Sequence, residues 1–383
     1  MTSSSVLYLF SSNIRPLYEQ DILDVLAAPT GGVYQFRYEK RWIDQGARDR
    51  WLTIPAGTPV LVHFSLQQPA RYHDPVFFPI RRGTVKSTFA EGEALFVEFL
   101  LGDLVALAEP QRQDGRPDFA AETARYREYL AGHDVPRPYR VSAGLGHDIL
   151  ADQQSPLDLA TDQVTLFERL TRYLQPTDSF RQARFLRFLR LAARGDDTDL
   201  APDRDGVFHL KGGTTYTLEL FHHQPIDVTA GEPFTIAVDD AIIRVIGRSG
   251  FDIGSRYDRI AIPMHAVQSE RYEARETVLV IDPTDPVKGP QLRLQLRVDP
   301  PSKKLLAGSM ASTAALGAIG FAALLPIGTL WQALIIVAAV ITIAVLSFFG
   351  LYVTALAGVK IPSLTHSSAG GTPTPTPTPP AGH

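Results

Sequence analysis

Several stretches of the sequence carry residue types that could bind ions or phosphate or do acid–base work. Ala201-Pro202-Asp203-Arg204-Asp205-Gly206 spaces carboxylates like the start of a calcium loop. Its first ligand position is Ala201, however, and the twelfth, where a bidentate Glu is needed, is Gly212. Gly144-Leu145-Gly146 opens like a dinucleotide fingerprint, but Ile149 stands at the third glycine position. His222 and His223 are adjacent, so on a strand they point to opposite faces and do not share one ion. Gly247 to Arg256 is glycine-rich with two arginines, yet lacks the Lys-Ser/Thr ending of a nucleotide-binding loop and reads as a long hairpin turn. There is no G-x-S-x-G elbow. Neither a catalytic set, a metal site nor a cofactor site is assigned, and no cofactor is expected.

One basic constellation remains. Over Ser179 to Arg194 the spacing predicts an amphipathic helix, with Phe185, Phe188, Leu189 and Ala192 on one side and Arg184, Arg187, Arg190 and Arg194 on the other. The four arginines are candidates for contact with an anionic membrane surface or a partner, against the plainer reading of a solvated face paired with Asp196, Asp197 or Asp199.

The absence of cysteine excludes disulfides, thiolate nucleophiles and cysteine-ligated metal, and a net charge of -4 over 383 residues argues against a general nucleic-acid binder. The N-terminal run Val6 to Phe10 is short and lacks a basic flank, so it reads as a first strand and not as an export signal.

The elements fall into blocks. Residues 1–115 form a β-rich unit, with strands at Val33–Trp42, Pro59–Leu66, Val76–Lys86 and Ala94–Val105. In the first of these, Tyr34, Phe36 and Tyr38 share a core face. Residues 116–200 read as a helical insert, with helices at Asp118–Ala131, Pro156–Leu174 (Ser155 as cap) and Ser179–Arg194. Residues 205–300 read as a β-sandwich-like unit, its strands at Thr215–Phe221, Phe234–Val238, Ala241–Ile246, Arg259–Pro263, Glu276–Ile281 and Leu292–Val298. The expected fold class is α+β dominated by antiparallel β, followed by a C-terminal two-helix transmembrane hairpin.

That hairpin rests on an uncharged run of about 55 positions, Leu305 to Val359, broken at Pro326 and Gly328 into spans at 305–325 and 330–357. Lys303, Lys304 and Lys360 flank it and its tip is uncharged. Both termini and the β-rich body are therefore expected on the cytoplasmic side of the inner membrane. Gly308, Ser312, Ala315 and Ala322 form a small-residue stripe for helix–helix packing, within the hairpin or in self-association. The tail, 360–383, is a Pro/Thr-rich spacer.

This layout points to a membrane-anchored, cytosol-facing sensor, scaffold or interaction protein that couples partner or ligand binding to the bilayer. A membrane-acting bacterial effector is its most specific form. The alternative is a membrane-tethered enzyme acting on lipid or nucleotide through a site assembled from distant residues. The expected partners are the bilayer, a protein, and further copies of the chain, and not nucleic acid.

Overall fold

The computed structural model describes residues 5–43, 45–67, 75–108, 119–133, 135, 143–196, 198–224, 234–247, 250–251, 257–269, 273–284 and 288–300. The hairpin at 305–359, its small-residue stripe and the tail lie outside the described residues. Among those described, no helix is long and apolar enough to cross a membrane.

The first half is built on a six-stranded mixed sheet, in the order β2-β5-β4-β3-β1-β7. Its strands are β1 (Ser5–Ser12), β2 (Val33–Glu39), β3 (Pro59–Leu66), β4 (Val76–Glu91), β5 (Ala94–Leu104) and β7 (Ala143–His147). β1 runs parallel to β3 and antiparallel to β7. Val6 to Phe10 is an unbroken apolar run because both faces are covered. Leu7 and Leu9 join the core beneath helices α1 (Pro16–Ala27) and α4 (Gln163–Leu174), while Val6, Tyr8 and Phe10 join a smaller core with Tyr126 and Leu130 of α3 (Phe119–Gly132). The aromatic stripe behaves as its period predicts, with Phe36 and Tyr38 buried. A short helix α2 (Gln45–Arg50) and the two-stranded pair β6 (Ala106–Leu107) and β8 (Leu157–Asp158) complete this half.

The second half is a β-sandwich-like pair of sheets. β10 (Val207–Lys211), β17 (Leu292–Asp299), β16 (Arg275–Pro283), β12 (Phe234–Ala237) and β14 (Gly250–Phe251) form one. β13 (Ile243–Val245), β15 (Tyr257–Ala266), β11 (Thr215–His223) and β9 (Phe185–Ala193) form the other. Their inner faces share a core of Phe188, Leu191, Leu218 and Met264 with Phe208, Leu279, Leu294 and Leu296. β17 alternates as its sequence requires, with Leu292, Leu294, Leu296 and Val298 inward.

The expected helix over Ser179–Arg194 is instead the strand β9. The physical reason is a bulge: Phe188 opposes Leu220 and Arg190 opposes Glu219, which leaves Leu189 as an extra residue. Core residues therefore fall at Leu186 and Phe188 and then, three positions on, at Leu191, and that spacing imitates a helix. The expected helix from Pro156 starts later, at Gln163. Leu157 and Asp158 pair with β6, and Asp162, not Ser155, caps α4 by accepting from the backbone N–H groups of Val164 (3.1 Å) and Thr165 (3.0 Å). Helix α1 was not expected.

Candidate functional site

Helix α1 lies between the first sheet and the sandwich, and the polar groups around it form the most developed buried constellation among the described residues. The helix starts at Pro16, whose fixed φ suits a first turn. It buries Ile22, Leu23, Val25, Leu26 and Ala27. No glycine closes its C-terminus, where Ala27 runs into Ala28 and Pro29, so the last carbonyls need other donors.

Two buried arginines supply them. Arg81, from β4, donates to Val25 O, to Ala28 O (2.8 Å), to Gly102 O (2.7 Å) and to Thr30 Oγ1 (3.4 Å). Arg187, from β9 in the other half, donates to Leu26 O and Ala28 O, both at 3.1 Å. The negative end of the helix dipole thus meets two cations, one from each half of the molecule, sharing the Ala28 carbonyl. Burial lowers the pKa of both guanidinium groups, that of Arg187 to about 10. Arg187 holds its proton at neutral pH.

The polar flank of α1, buried at Glu19 and half-buried at Gln20, Asp21 and Asp24, makes a second set of contacts. Glu19 pairs with Lys288, which also donates to Ser179 O. Gln20 Nε2 donates to Gly289 O at 3.0 Å and to Asp24 Oδ1 at 2.7 Å, and the same Asp24 oxygen accepts the backbone N–H of Gln291 at 2.7 Å. Across the helix, Tyr34 Oη of β2 is 3.1 Å from Asp21 Oδ1 and 3.4 Å from Asp24 Oδ2. Burial raises both carboxyls from 3.8, Asp21 to about 7 and Asp24 to about 6.

The four expected surface arginines separate. Arg184 and Arg187 are 3% and 4% exposed, so neither offers a cation to a bilayer. Arg190 pairs with Glu219 (2.6 Å) and Asp199 (3.7 Å), and Arg194 alone of the four is exposed. The loss of a common basic face follows from the strand geometry, which sends neighbouring residues to opposite sides.

The histidines are distributed as structural groups. His222 and His223 face opposite ways, as adjacency on a strand requires. His223 Nδ1 meets Thr171 Oγ1 (2.8 Å) and its ring stacks on Tyr257. His222 packs against Phe234, and burial lowers it to about 3. His63 bonds Tyr126 Oη at 2.7 Å through Nε2, and burial lowers it to about 3 as well, so it is neutral. His133 has Nδ1 on Tyr129 O and Nε2 on Asp152, which makes it a clamp at the end of α3. His209 is held between two carboxylates, Asp203 through Nε2 and Asp299 through Nδ1, each at 2.9 Å. These hydrogen bonds raise His209 and help to hold Asp203 down at about 2.

Asp203 Oδ1 also accepts from the Asp205 and Val207 N–H groups, so the stretch with calcium-loop spacing is a turn whose carboxylate is already engaged. Gly144 to Gly146 lies in the edge strand β7. Most of Gly247 to Arg256 lies outside the described residues. Among the described residues no group of three His, Asp or Glu side chains converges as a metal site.

Sequence reasoning missed Arg81, Asp21, Asp24 and Tyr34 as a set. One signal was available: apolar residues at 22, 23, 25 and 26 behind Pro16, ending at Ala-Ala-Pro without a glycine, describe a helix that needs outside donors.

No protein-family model matches the chain, and no curated protein matches it. Among solved structures, the D0-D1 domain of intimin is 7% identical and aligns over 71% of this chain and 94% of its own length, at a TM-score of 0.20. The native conformation of E. coli alpha-2-macroglobulin is 10% identical over 55% of this chain and 12% of its own, at a TM-score of 0.18. Scores this low carry no argument about fold or function.

Proposed function

We propose that this chain is a membrane-anchored interaction protein, in which a β-rich body conveys partner or ligand binding to an apolar hairpin at residues 305–359. The observation that carries the reading is the uncharged run from Leu305 to Val359 with lysines at both borders. The described body supports the relay. β17, the last strand before that run, is hydrogen-bonded to β10 on one side and β16 on the other. The segment entering β17 is tied to α1, and Asp299 at its end holds His209 and Arg297. A displacement at α1 therefore has a short, well-bonded route to Asp299 at the end of β17.

The absence of cysteine makes the topology directly testable. Thr329→Cys at the tip and Ser367→Cys in the tail are introduced singly into the full chain in a bacterial host and exposed to a membrane-impermeant maleimide. The hairpin requires Thr329→Cys to react in intact cells and Ser367→Cys to react only after lysis. A tail cysteine that reacts in intact cells overturns it. Membrane potential, compared between the full chain and Ala338→Arg, then separates two forms of the proposal. Depolarisation abolished by the substitution identifies a membrane-acting effector, and an undisturbed potential identifies a scaffold.

A further inference from the structure

The flank of α1 joins two parts of the molecule through groups that exchange a proton. Asp21 and Asp24 are three residues apart on one helical face, and the Tyr34 hydroxyl lies within hydrogen-bonding distance of both carboxyls. That hydroxyl has one proton to give, so it serves Asp21 Oδ1 or Asp24 Oδ2 but not both at once, while the other oxygen of Asp24 accepts from Gln20 and Gln291. Asp24 is also the anchor for the sandwich, through the N–H of Gln291.

We propose that Asp21, Tyr34 and Asp24 form a proton-operated latch. While at least one carboxyl holds a proton, α1 grips the segment from Lys288 to Gln291, and loss of the last proton loosens that grip. The proposal rests on the joint alone and stands or falls independently of the membrane reading.

The surrounding charges do not cancel the effect. On α1, Glu19 is spent on Lys288 and Gln20 bridges Asp24 to Gly289 O. From the sandwich, Arg293 faces Asp24 and draws it down in part, while its Nε also donates to Gln291 Oε1. Gln291 Nε2 donates to Asp282 of β16. From β2, Tyr34 and Tyr38 face Asp21, and burial holds both phenols protonated. No cation lies within ion-pair distance of Asp21 among the described residues. The two carboxyls titrate as a coupled pair, at about 6 and 7, against 3.8 for a free aspartate. Folded values above the unfolded ones mean that the joint has its full stability below about pH 3.8, loses it as pH rises through the folded values near 6 and 7, and loses no more above them. Above them two negative charges share one hydroxyl.

The test follows amide hydrogen exchange of the full chain in nanodiscs from pH 5.5 to 8.5, corrected for intrinsic exchange rates. Peptides covering 16–27 and 288–293 are compared with peptides from β11 and β15. The latch requires protection at 288–293 to fall from pH 5.5 upward, by about tenfold per pH unit between the two titrations near 6 and 7, where opening releases one proton, and to level off above the upper one. The β11 and β15 peptides stay unchanged. Asp21→Asn keeps a neutral side chain at every pH and is expected to hold the low-pH protection throughout. Tyr34→Phe, which removes the shared hydroxyl, lowers protection at all pH values. The wild-type profile needs no variant to fold. A flat profile at 288–293, an equal loss across the whole body, or an Asp21→Asn chain with the wild-type pH dependence would each overturn the proposal.

Discussion

Replacing Arg187 by methionine separates the strand from the helical surface face expected for this segment. On a solvated helix, Arg187 and Arg194 are equivalent, and substituting either changes stability by less than about 0.5 kcal/mol. In the structure Arg187 is buried and makes two hydrogen bonds from a charged donor to helix-end carbonyls. Each such bond contributes about 1.5 to 3 kcal/mol. Against them stands the burial of the cation, whose pKa falls from 12.5 to about 10, a cost of about 3 kcal/mol that methionine removes. The balance is a loss of about 2 kcal/mol for Arg187→Met, and less than about 0.5 kcal/mol for the exposed Arg194→Met. Arg81→Met sharpens the test. In that background Ala28 O has lost its other donor and there is no neighbouring cation to repel, so removing Arg187 should cost about 1 kcal/mol more than it does alone. Urea unfolding of the full chain in mild detergent gives the numbers. Trp51, with 0% exposure and its indole on Phe96 O, serves as reporter once Trp42 and Trp331 are changed to phenylalanine. Equal effects at 187 and 194, or additive effects at 81 and 187, would refute the two-arginine closure of α1.

His222 is fully buried, and among the described residues neither of its ring nitrogens has a hydrogen-bond partner. His222→Phe should therefore stabilise the fold by about 1 kcal/mol at pH 7 and flatten the loss of stability between about pH 6.5 and 4, read from unfolding midpoints. Destabilisation instead would point to a bound partner at the imidazole. His209, raised by Asp203 and Asp299, contributes stability that is full below its unfolded pKa near 6.5 and fades as pH rises through its folded value. The gap in unfolding midpoint between wild type and His209→Asn should accordingly be widest in mild acid and close toward alkaline pH. A Cβ at Gly83 would stand 2.4 Å from Leu100 O and 3.3 Å from the Phe99 ring, so Gly83→Ala should cost about 2 kcal/mol in urea unfolding, and a neutral result would mean that β4 and β5 part more easily than their pairing implies.

The strands with clean alternation were legible from the sequence. β17 and β2 show their faces because neighbours on the chain go to opposite environments, and Val6 to Phe10 shows its double burial as an uninterrupted apolar run. β9 was not legible, since one extra residue at Leu189 shifts the later core position by a single place, and in a short window that shift has the signature of a helical face. Helix α1 was obscured for a different reason. Its buried stripe is short, its first turn is exposed at Leu17, and the donors that close its end lie at positions 81 and 187. The same limit applies to the candidate latch. Asp21 and Asp24 are an ordinary surface pair by spacing, and only the fold brings Tyr34 and Gln291 to them.

The shared carbonyl of Ala28 also bears on how the chain is made. Helix α1 leaves the ribosome among the first elements, yet one of the cations that completes its end is Arg187, separated from its acceptor Leu26 by 161 positions. Until β9 has been synthesised, Arg81 of the first sheet is the only one of the two cations at that helix end, and Leu26 O waits for Arg187. The two halves should therefore reach their final state together and late, instead of one after the other in order of synthesis. Fragments cut between them, however well they respect the sheets, would each carry one half of an unfinished helix terminus.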